Sequence, residues 1–223
     1  MRRPSLDVDE TPLSLASDAR ASGGRVRGLR SRGALYAEYH ARVAEAPGDG
    51  RVRGMFFSDL QRLAPPDHTQ TQRRYLPFTM YPLREFMQLA LLTAQRRSPS
   101  RAPADALREL GRRAYGVFAS SMAGMSLLST ASAGCEALLA RVPQAYAMVS
   151  TPGSVRVLSA RSGEAVIALR DVWSFPESYN VGAWLGGMEA LAVDGQVDVV
   201  QHSWCNVDLH VRFSPRKEGG GRT

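Results

Sequence analysis

Cysteine, lysine and long apolar runs are all scarce in this chain of 223 residues. The two cysteines, Cys135 and Cys205, lie far apart, which favours reduced, buried thiols over a disulfide framework. No apolar run reaches the roughly 20 residues that a membrane span needs. The amino-terminal Met-Arg-Arg-Pro leads into polar residues and not into the apolar centre of a signal peptide. We therefore expect a cytoplasmic chain without a membrane span.

The positive charge of the chain comes almost entirely from arginine. The net charge is +7, and Lys217 is the single lysine. A basic surface can neutralise phosphates, and arginines do cluster between residues 96 and 113. No aromatic side chains alternate with them to stack bases, however. The pattern favours a solvated helix face, and it keeps a basic nucleic-acid-associated regulator only as a third alternative.

Motifs of known reactions are missing as well. The sequence has no G-x-S-x-G, no P-loop pattern and no G-x-G-x-x-G after a strand. His202, Cys205 and His210 are residue types that bind zinc, but in a continuous strand Cys205 would face away from both histidines. A hairpin near Trp204 would change that arrangement. We expect exposed strand histidines, a buried and unbridged Cys205, and no catalytic or metal-binding residues.

Apolar periodicity divides the chain into three parts. Residues 1–50 are predicted to be a disordered or weakly helical extension, with one short helix over residues 34–46. Residues 51–214 carry regular patterns and are predicted to form a single domain. Residues 215–223 are predicted to be a flexible tail. We expect the domain to fold without the extension.

The patterns within residues 51–214 predict an α+β domain. Helices are predicted over residues 52–63, from Pro82, from Pro103 through the small-residue stretch 116–133, and briefly before Pro143. Strand patterns follow over 146–150, over a hairpin at 155–173, and again after Gly195. A helix from Pro176 lies between the strand pairs. The fold class is therefore N-terminal helices packed on a small antiparallel sheet, with a glycine-containing helix inserted between strand pairs.

Three glycines distinguish the inserted helix. Each glycine costs about 1 kcal/mol against alanine in a helix, so the missing side chains should allow the close approach of another backbone or of a flat ligand. We expect this face to form the tightest contact of the domain and the floor of any ligand site. The predicted ligand-pocket residues are Phe118, Met122, Met125, Gly182, Leu185, Gly186 and Met188.

Four segments carry a resemblance to a known family. They are RGMFFSDL at residues 53–60, YPLREFMQLA at 81–90, LRELGRRAYGVFASSMAG at 107–124 and FPESYNVGAWLGGMEALAV at 175–193. This succession resembles a paralogous family of uncharacterised myxobacterial proteins that occurs in many copies per genome. The resemblance covers about residues 52–213, and it implies no activity.

The last third of the chain carries a second, wider resemblance. A helix with Gly182 and Gly186, followed by paired strands with Cys205 and Phe213, is similar to 4-vinyl-reductase-like domains. Through them it is similar to the haem-NO-binding and TRAPP vesicle-tethering superfamily, whose domains bind small or acyl ligands or dimerise. The second cysteine of that pattern is missing, and no histidine matches a haem-ligating one. We therefore expect no cofactor, neither haem nor zinc.

These observations together predict a non-enzymatic sensory or regulatory module. It would bind a small hydrophobic ligand or a protein partner, with self-association as a dimer included. The alternative is a purely structural interaction adaptor with a filled core. An enzyme would require polar groups that converge in the same cavity.

Overall fold

The structure is a computed structural model that describes residues 13–15, 32–64, 73–129 and 135–215. Its elements are, in chain order, β1 (Leu13–Leu15), α1 (Arg32–Glu45), β2 (Arg51–Arg53), α2 (Gly54–Leu63), β3 (Met80–Pro82), α3 (Leu83–Arg97), α4 (Pro103–Ala119), α5 (Met122–Ser129), α6 (Cys135–Val149), β4 (Ser150–Thr151), β5 (Ser154–Arg161), β6 (Glu164–Arg170), α7 (Val181–Ala190), β7 (Val193–Gln201) and β8 (Val207–Pro215). A π-helical turn, Pro176–Asn180, precedes α7. No helix among the described residues is long and apolar enough to cross a membrane.

Two antiparallel sheets organise the strands. The larger sheet has the order β1-β7-β8-β6-β5, and the smaller one has the order β3-β2-β4. Because α7 lies in sequence between the hairpin β5–β6 and the hairpin β7–β8, a helix is inserted between two strand pairs. The predicted α+β class with antiparallel pairing is confirmed.

The helices of the first half enclose an aromatic core. Phe57 and Phe86 are almost fully buried, and the ring centroid of Phe57 lies 4.5 Å from that of Tyr75 and 5.5 Å from those of Tyr81 and Phe86. Apolar side chains at three- and four-residue spacing in α2, α3 and α4 point into this cluster. Burial of these rings therefore fixes how the first helices pack.

A second core lies between the larger sheet and the helices α6 and α7. Ile167, Val207 and Leu209 are fully buried, and they belong to one cluster with Leu139 from α6 and Met188 from α7. The strands therefore alternate buried and more exposed positions, as expected for a sheet that is covered on one face. This second core positions the cavity described below.

The helix α1 lies before the predicted domain boundary at residue 51, which stays a prediction. The helix α1 buries Tyr36, Tyr39 and Val43 in the aromatic core. These three residues recur at three- and four-residue spacing, which is the signal of a core-facing helix. Residues 1–12 and 16–31, and the tail 216–223, lie outside the described residues, so the predicted disorder there stays a prediction.

The predicted central helix is divided in two. The helix α4 ends at Ala119, and α5 begins at Met122. Between them the Ser121 hydroxyl donates to the Phe118 carbonyl oxygen at 2.6 Å and accepts the Gly124 N–H at 3.0 Å. A serine side chain that satisfies free backbone groups in this way favours a break over a continuous helix.

Pro143 does not end a helix, contrary to the prediction. The helix α6 continues through it to Val149, so residues 146–149 are helical and not part of a strand. A proline inside a helix costs about 3 kcal/mol. Leu139, Val142 and Tyr146 pack against the sheet cluster, and their burial offsets that cost.

Candidate ligand-binding cavity

The helices α4 and α7 meet backbone to backbone. A Cβ atom added at Gly182 would collide with the Arg108 carbonyl oxygen, and one added at Gly186 would collide with the Arg112 carbonyl oxygen. Gly111 of α4 has the same relation to the Tyr179 carbonyl oxygen. The glycine face of α7 therefore makes a very close contact, as expected, but its partner is the helix α4 and not the sheet.

A cavity of about 220 Å³ lies beside this contact. One wall is α6, another consists of α4 and α7, and the larger sheet contributes the third. Small side chains at helix positions leave the space between these walls. The lining residues are Val52, Phe56, Phe86, Ala114, Tyr115, Phe118, Leu128, Leu138, Leu139, Arg141, Val142, Ala145, Tyr146, Val149, Ser150, Val155, Leu169, Ser174, Tyr179, Asn180, Ala183, Trp184, Gly187, Met188, Leu191, Val193, Val211 and Phe213.

The lining is apolar and has a buried end and an exposed end. Val52 and Phe86 are buried, whereas Arg141 and Leu191 are exposed. Among the described residues of the lining, Arg141 alone has a charged side chain. A molecule in this cavity would therefore contact mainly apolar side chains at the buried end. At the exposed end it would contact solvent and the Arg141 guanidinium group.

The phenol groups of the lining stay neutral at physiological pH. Burial raises the pKa of Tyr146 to about 12, and its hydroxyl donates to the Pro152 carbonyl oxygen at 3.0 Å. Burial also raises the pKa of Tyr179, and the nearby Asp59 carboxylate raises it further. Burial raises the pKa of Tyr115 as well, so none of these three lining tyrosines supplies a base or an anion at physiological pH.

The predicted pocket residues divide between the cavity and other places. Phe118 and Met188 lie on its wall. Met122 and Met125 belong to α5 and point away, with exposed fractions of 70% and 54%. Their helical spacing led to the prediction that they line a pocket, but the break after α4 turns both side chains toward solvent.

The other predicted pocket residues lie outside the cavity wall. Gly182 and Gly186 are covered by α4, and Leu185 packs against the sheet cluster. The neighbouring Gly187 does line the cavity, because its side faces the Tyr115 ring, with Cδ2 at 3.1 Å from an added Cβ. Whether Phe118, Met188 or any other residue contacts a ligand stays a prediction.

The helix α6 is the wall that the sequence reasoning missed. Its lining residues recur at three- and four-residue spacing from Leu138 to Val149. That spacing was available in the sequence, but Pro143 was interpreted as the end of the helix. The signal for the wall was therefore present and was outweighed by a local rule about proline.

The turn Pro176–Asn180 connects the cavity to α1. Tyr179 and Asn180 line the cavity, while Glu177 faces the other way. The Glu177 Oε1 atom accepts hydrogen bonds from Arg42 Nη1 at 2.6 Å and from Tyr39 Oη at 2.9 Å. Both members of the ion pair are buried, so this contact joins α1 firmly to the segment that leads into α7.

His202, Cys205 and His210 do not converge on one point. The chain turns at residues 202–206, where the His202 N–H donates to the Asn206 carbonyl oxygen at 3.0 Å. Cys205 is free and buried, and His202 Nε2 lies 2.9 Å from Asp208 Oδ2. Within the part of the chain that the structure describes, no three metal-ligating side chains come together.

One protein family matches most of the chain. Residues 49–214 match the family DUF2378, described as a protein of unknown function. The chain belongs to this family. No curated protein matches it. The expected distribution among myxobacteria stays a prediction.

Several solved structures have a similar fold. An H-NOX protein from S. oneidensis in the Fe(II)NO state has a TM-score of 0.52 at 13% identity, over 81% of this DUF2378 chain and 98% of that chain. The NMR structure of an H-NOX domain from Shewanella oneidensis in the Fe(II)CO state has a TM-score of 0.52 at 12% identity, over 73% and 98% of the two chains. A point mutant of the T. Tengcongensis H-NOX has a TM-score of 0.50 at 12% identity, over 83% and 99%. The fold of this chain is that of the H-NOX domains, and identities this low extend no further than the fold.

These similarities correct the expectation that the chain takes no cofactor. Haem was set aside because no histidine matched a haem-ligating one, yet the solved structures that share the fold are haem-NO-binding domains in Fe(II) states. The lining offers Met188, and methionine is a side chain that ligates haem iron. No described histidine lines the cavity. A haem bound there would therefore need an iron ligand other than histidine.

Proposed function

We propose that this chain is a sensory module that holds a small apolar ligand in the cavity between α4, α6, α7 and the larger sheet. In this proposal the module acts without catalysis in the cytoplasm. It passes the occupancy of the cavity to a protein partner or to a second copy of the chain.

The observation that carries the proposal is the apolar cavity itself. Well-packed cores hold few voids larger than a water molecule, and this one measures about 220 Å³. Typical ligand pockets measure roughly 300–1,000 Å³, so a small ligand or a slightly expanded pocket fits. A lining that is almost wholly apolar gives water few partners, which favours an apolar occupant over trapped solvent.

Haem is one candidate occupant. Met188 would hold its iron, and Arg141 would face its acid groups. When bound, haem would supply an iron atom that takes a diatomic gas, as the Fe(II)NO and Fe(II)CO states show for the H-NOX proteins. The chain itself would contribute the apolar walls that exclude water, together with the neutral phenols of Tyr115, Tyr146 and Tyr179.

The proposal also agrees with a non-enzymatic role. The uncharged polar groups of the lining, such as those of Ser150, Ser174 and Asn180, are amides and hydroxyls, and Arg141 is a permanent cation. Proton transfer needs a group that titrates near neutral pH. The cavity is therefore better suited to binding than to acid–base chemistry.

A fluorescence titration with N-phenyl-1-naphthylamine, a neutral apolar probe, tests the proposal. Wild-type protein should bind the probe, and native mass spectrometry should show one bound molecule per chain. Ala145→Phe should remove binding, because the new ring fills the cavity from α6. Its matched control is Ala147→Phe, which lies on the exposed side of the same helix and should bind like the wild type.

Hemin provides the second arm of the same experiment. A Soret band that co-elutes with the wild type and is lost in Ala145→Phe would assign haem to the cavity. If the wild type binds neither the probe nor hemin, the proposed function is wrong. It is also wrong if Ala145→Phe and Ala147→Phe bind these ligands with the same affinity. Unfolding curves of each variant verify that the fold is retained.

A further inference from the structure

Arg141 makes no contact with the described residues that would explain its charge by the stability of the fold. Other arginines near the core have carboxylate partners, such as Arg42 with Glu177 and Arg170 with Asp208. Among the described residues, Arg141 makes no ion pair and no side-chain hydrogen bond. Yet it faces the cavity from the middle of α6, between Leu138 and Ala145 on the same helix face.

A lone cation at the exposed end of an apolar cavity recognises a specific chemistry. A neutral hydrocarbon gains nothing from a guanidinium group, whereas a carboxylate forms short, charge-assisted hydrogen bonds with it. The buried end of the cavity, at Val52 and Phe86, offers mostly apolar contacts, and none of the described residues there carries a charge. The ligand should therefore have an acid group at one end and an apolar body at the other.

We infer that the cavity takes an amphipathic carboxylate, with its acid group at Arg141 and its apolar body extended toward Phe86. This inference rests on the proposed function and names its ligand class. A monocarboxylic acid with a hydrocarbon chain and a haem with its propionate groups share this chemistry. The experiment distinguishes these two sources.

Calorimetric titrations with dodecanoic acid and with methyl dodecanoate, both below the concentration at which they aggregate, test the role of the acid group. The wild type should bind the acid about tenfold more tightly than the ester, as expected for one charge-assisted contact. Arg141→Gln should remove this preference and leave the affinity for the ester unchanged. Arg141→Lys should keep part of it. Arg156→Gln, at an exposed position of β5 outside the cavity, is the matched control and should bind like the wild type.

Hemin and its dimethyl ester form the second pair of ligands. A preference for hemin that depends on Arg141, with weak binding of dodecanoic acid, would assign the acid groups to haem. Equal affinity for acid and ester in both pairs, or a preference that survives Arg141→Gln, would overturn the inference and leave the proposed function standing. If the neutral probe, both acids and both esters all fail to bind, the proposed function fails with it.

Discussion

The close contact between α4 and α7 predicts opposite effects for two glycine-to-alanine substitutions. Gly186 faces the Arg112 carbonyl of α4, and a Cβ atom there would come closer to this oxygen than 3.0 Å, a separation that real Cβ atoms essentially never show. Gly116 lies on α4 itself, is exposed, and has no atom within 4 Å of an added Cβ. The two sites therefore compare the same chemical change with and without a neighbouring backbone.

The magnitudes follow from this geometry. At Gly116 only helix propensity acts, so Gly116→Ala should raise the free energy of unfolding by up to about 1 kcal/mol. At Gly186 the helices must separate, and overpacking of this kind costs about 1–3 kcal/mol or more. Since the obstacle is backbone and not the end of a flexible side chain, the loss should exceed the propensity gain. Gly186→Ala should then lower the free energy of unfolding, and Gly186→Leu should lower it further.

Thermal and urea unfolding of the three variants measure this effect. For a chain of this size, 1 kcal/mol corresponds to roughly 2–4 °C in Tm. A Tm of Gly186→Ala at or above that of the wild type would refute the backbone contact between α4 and α7. The same loss in Gly116→Ala would show instead that alanine is harmful at any position of these helices.

Two further predictions concern the contact of α1 with the rest of the chain. Glu177→Gln should cost about 3–5 kcal/mol in urea unfolding, because it leaves the Arg42 guanidinium buried without its counter-charge; Glu189→Gln, which removes an exposed pair, should change stability by less than about 1 kcal/mol. A chain that begins at Arg51 should melt well below one that begins at Arg32, since each core side chain lost with α1 is worth about 1.5–3 kcal/mol. Equal melting temperatures would confirm the predicted boundary at residue 51.

The elements with strong periodicity were predictable from the sequence. The strand pairs around Gly163 and after Gly195 were found, because alternating apolar residues and turn glycines act over short distances. The inserted helix was also found, and its glycines indicated a close contact. The sequence could not reveal that the partner was α4, because a glycine shows only that something comes near.

The predictions failed where tertiary contacts override local rules. Pro143 was taken as a helix end, but the helix continues because its apolar face covers the sheet. The assignment of α1 to a dispensable extension stays a prediction, although Tyr39 and Arg42 connect the helix to Glu177 across the fold. Arg42 and Glu177 are far apart in the sequence, so no local pattern of residues indicates that they form a pair. The buried charge of Glu177 is explained only by its partner.

The cavity results from side-chain size and not from a wide separation of helices. On one side of α7 the glycines leave no room for a Cβ atom against the α4 backbone, so the helices are not spread apart. On the other side the wall contains Ala114, Ala145, Ala183 and Gly187, each too small to reach across. The same preference for small residues thus produces a tight contact where backbones meet and a void where they do not. Enlarging one alanine should therefore close the cavity while the backbone stays in place, which makes Ala145→Phe a test of binding and not of folding.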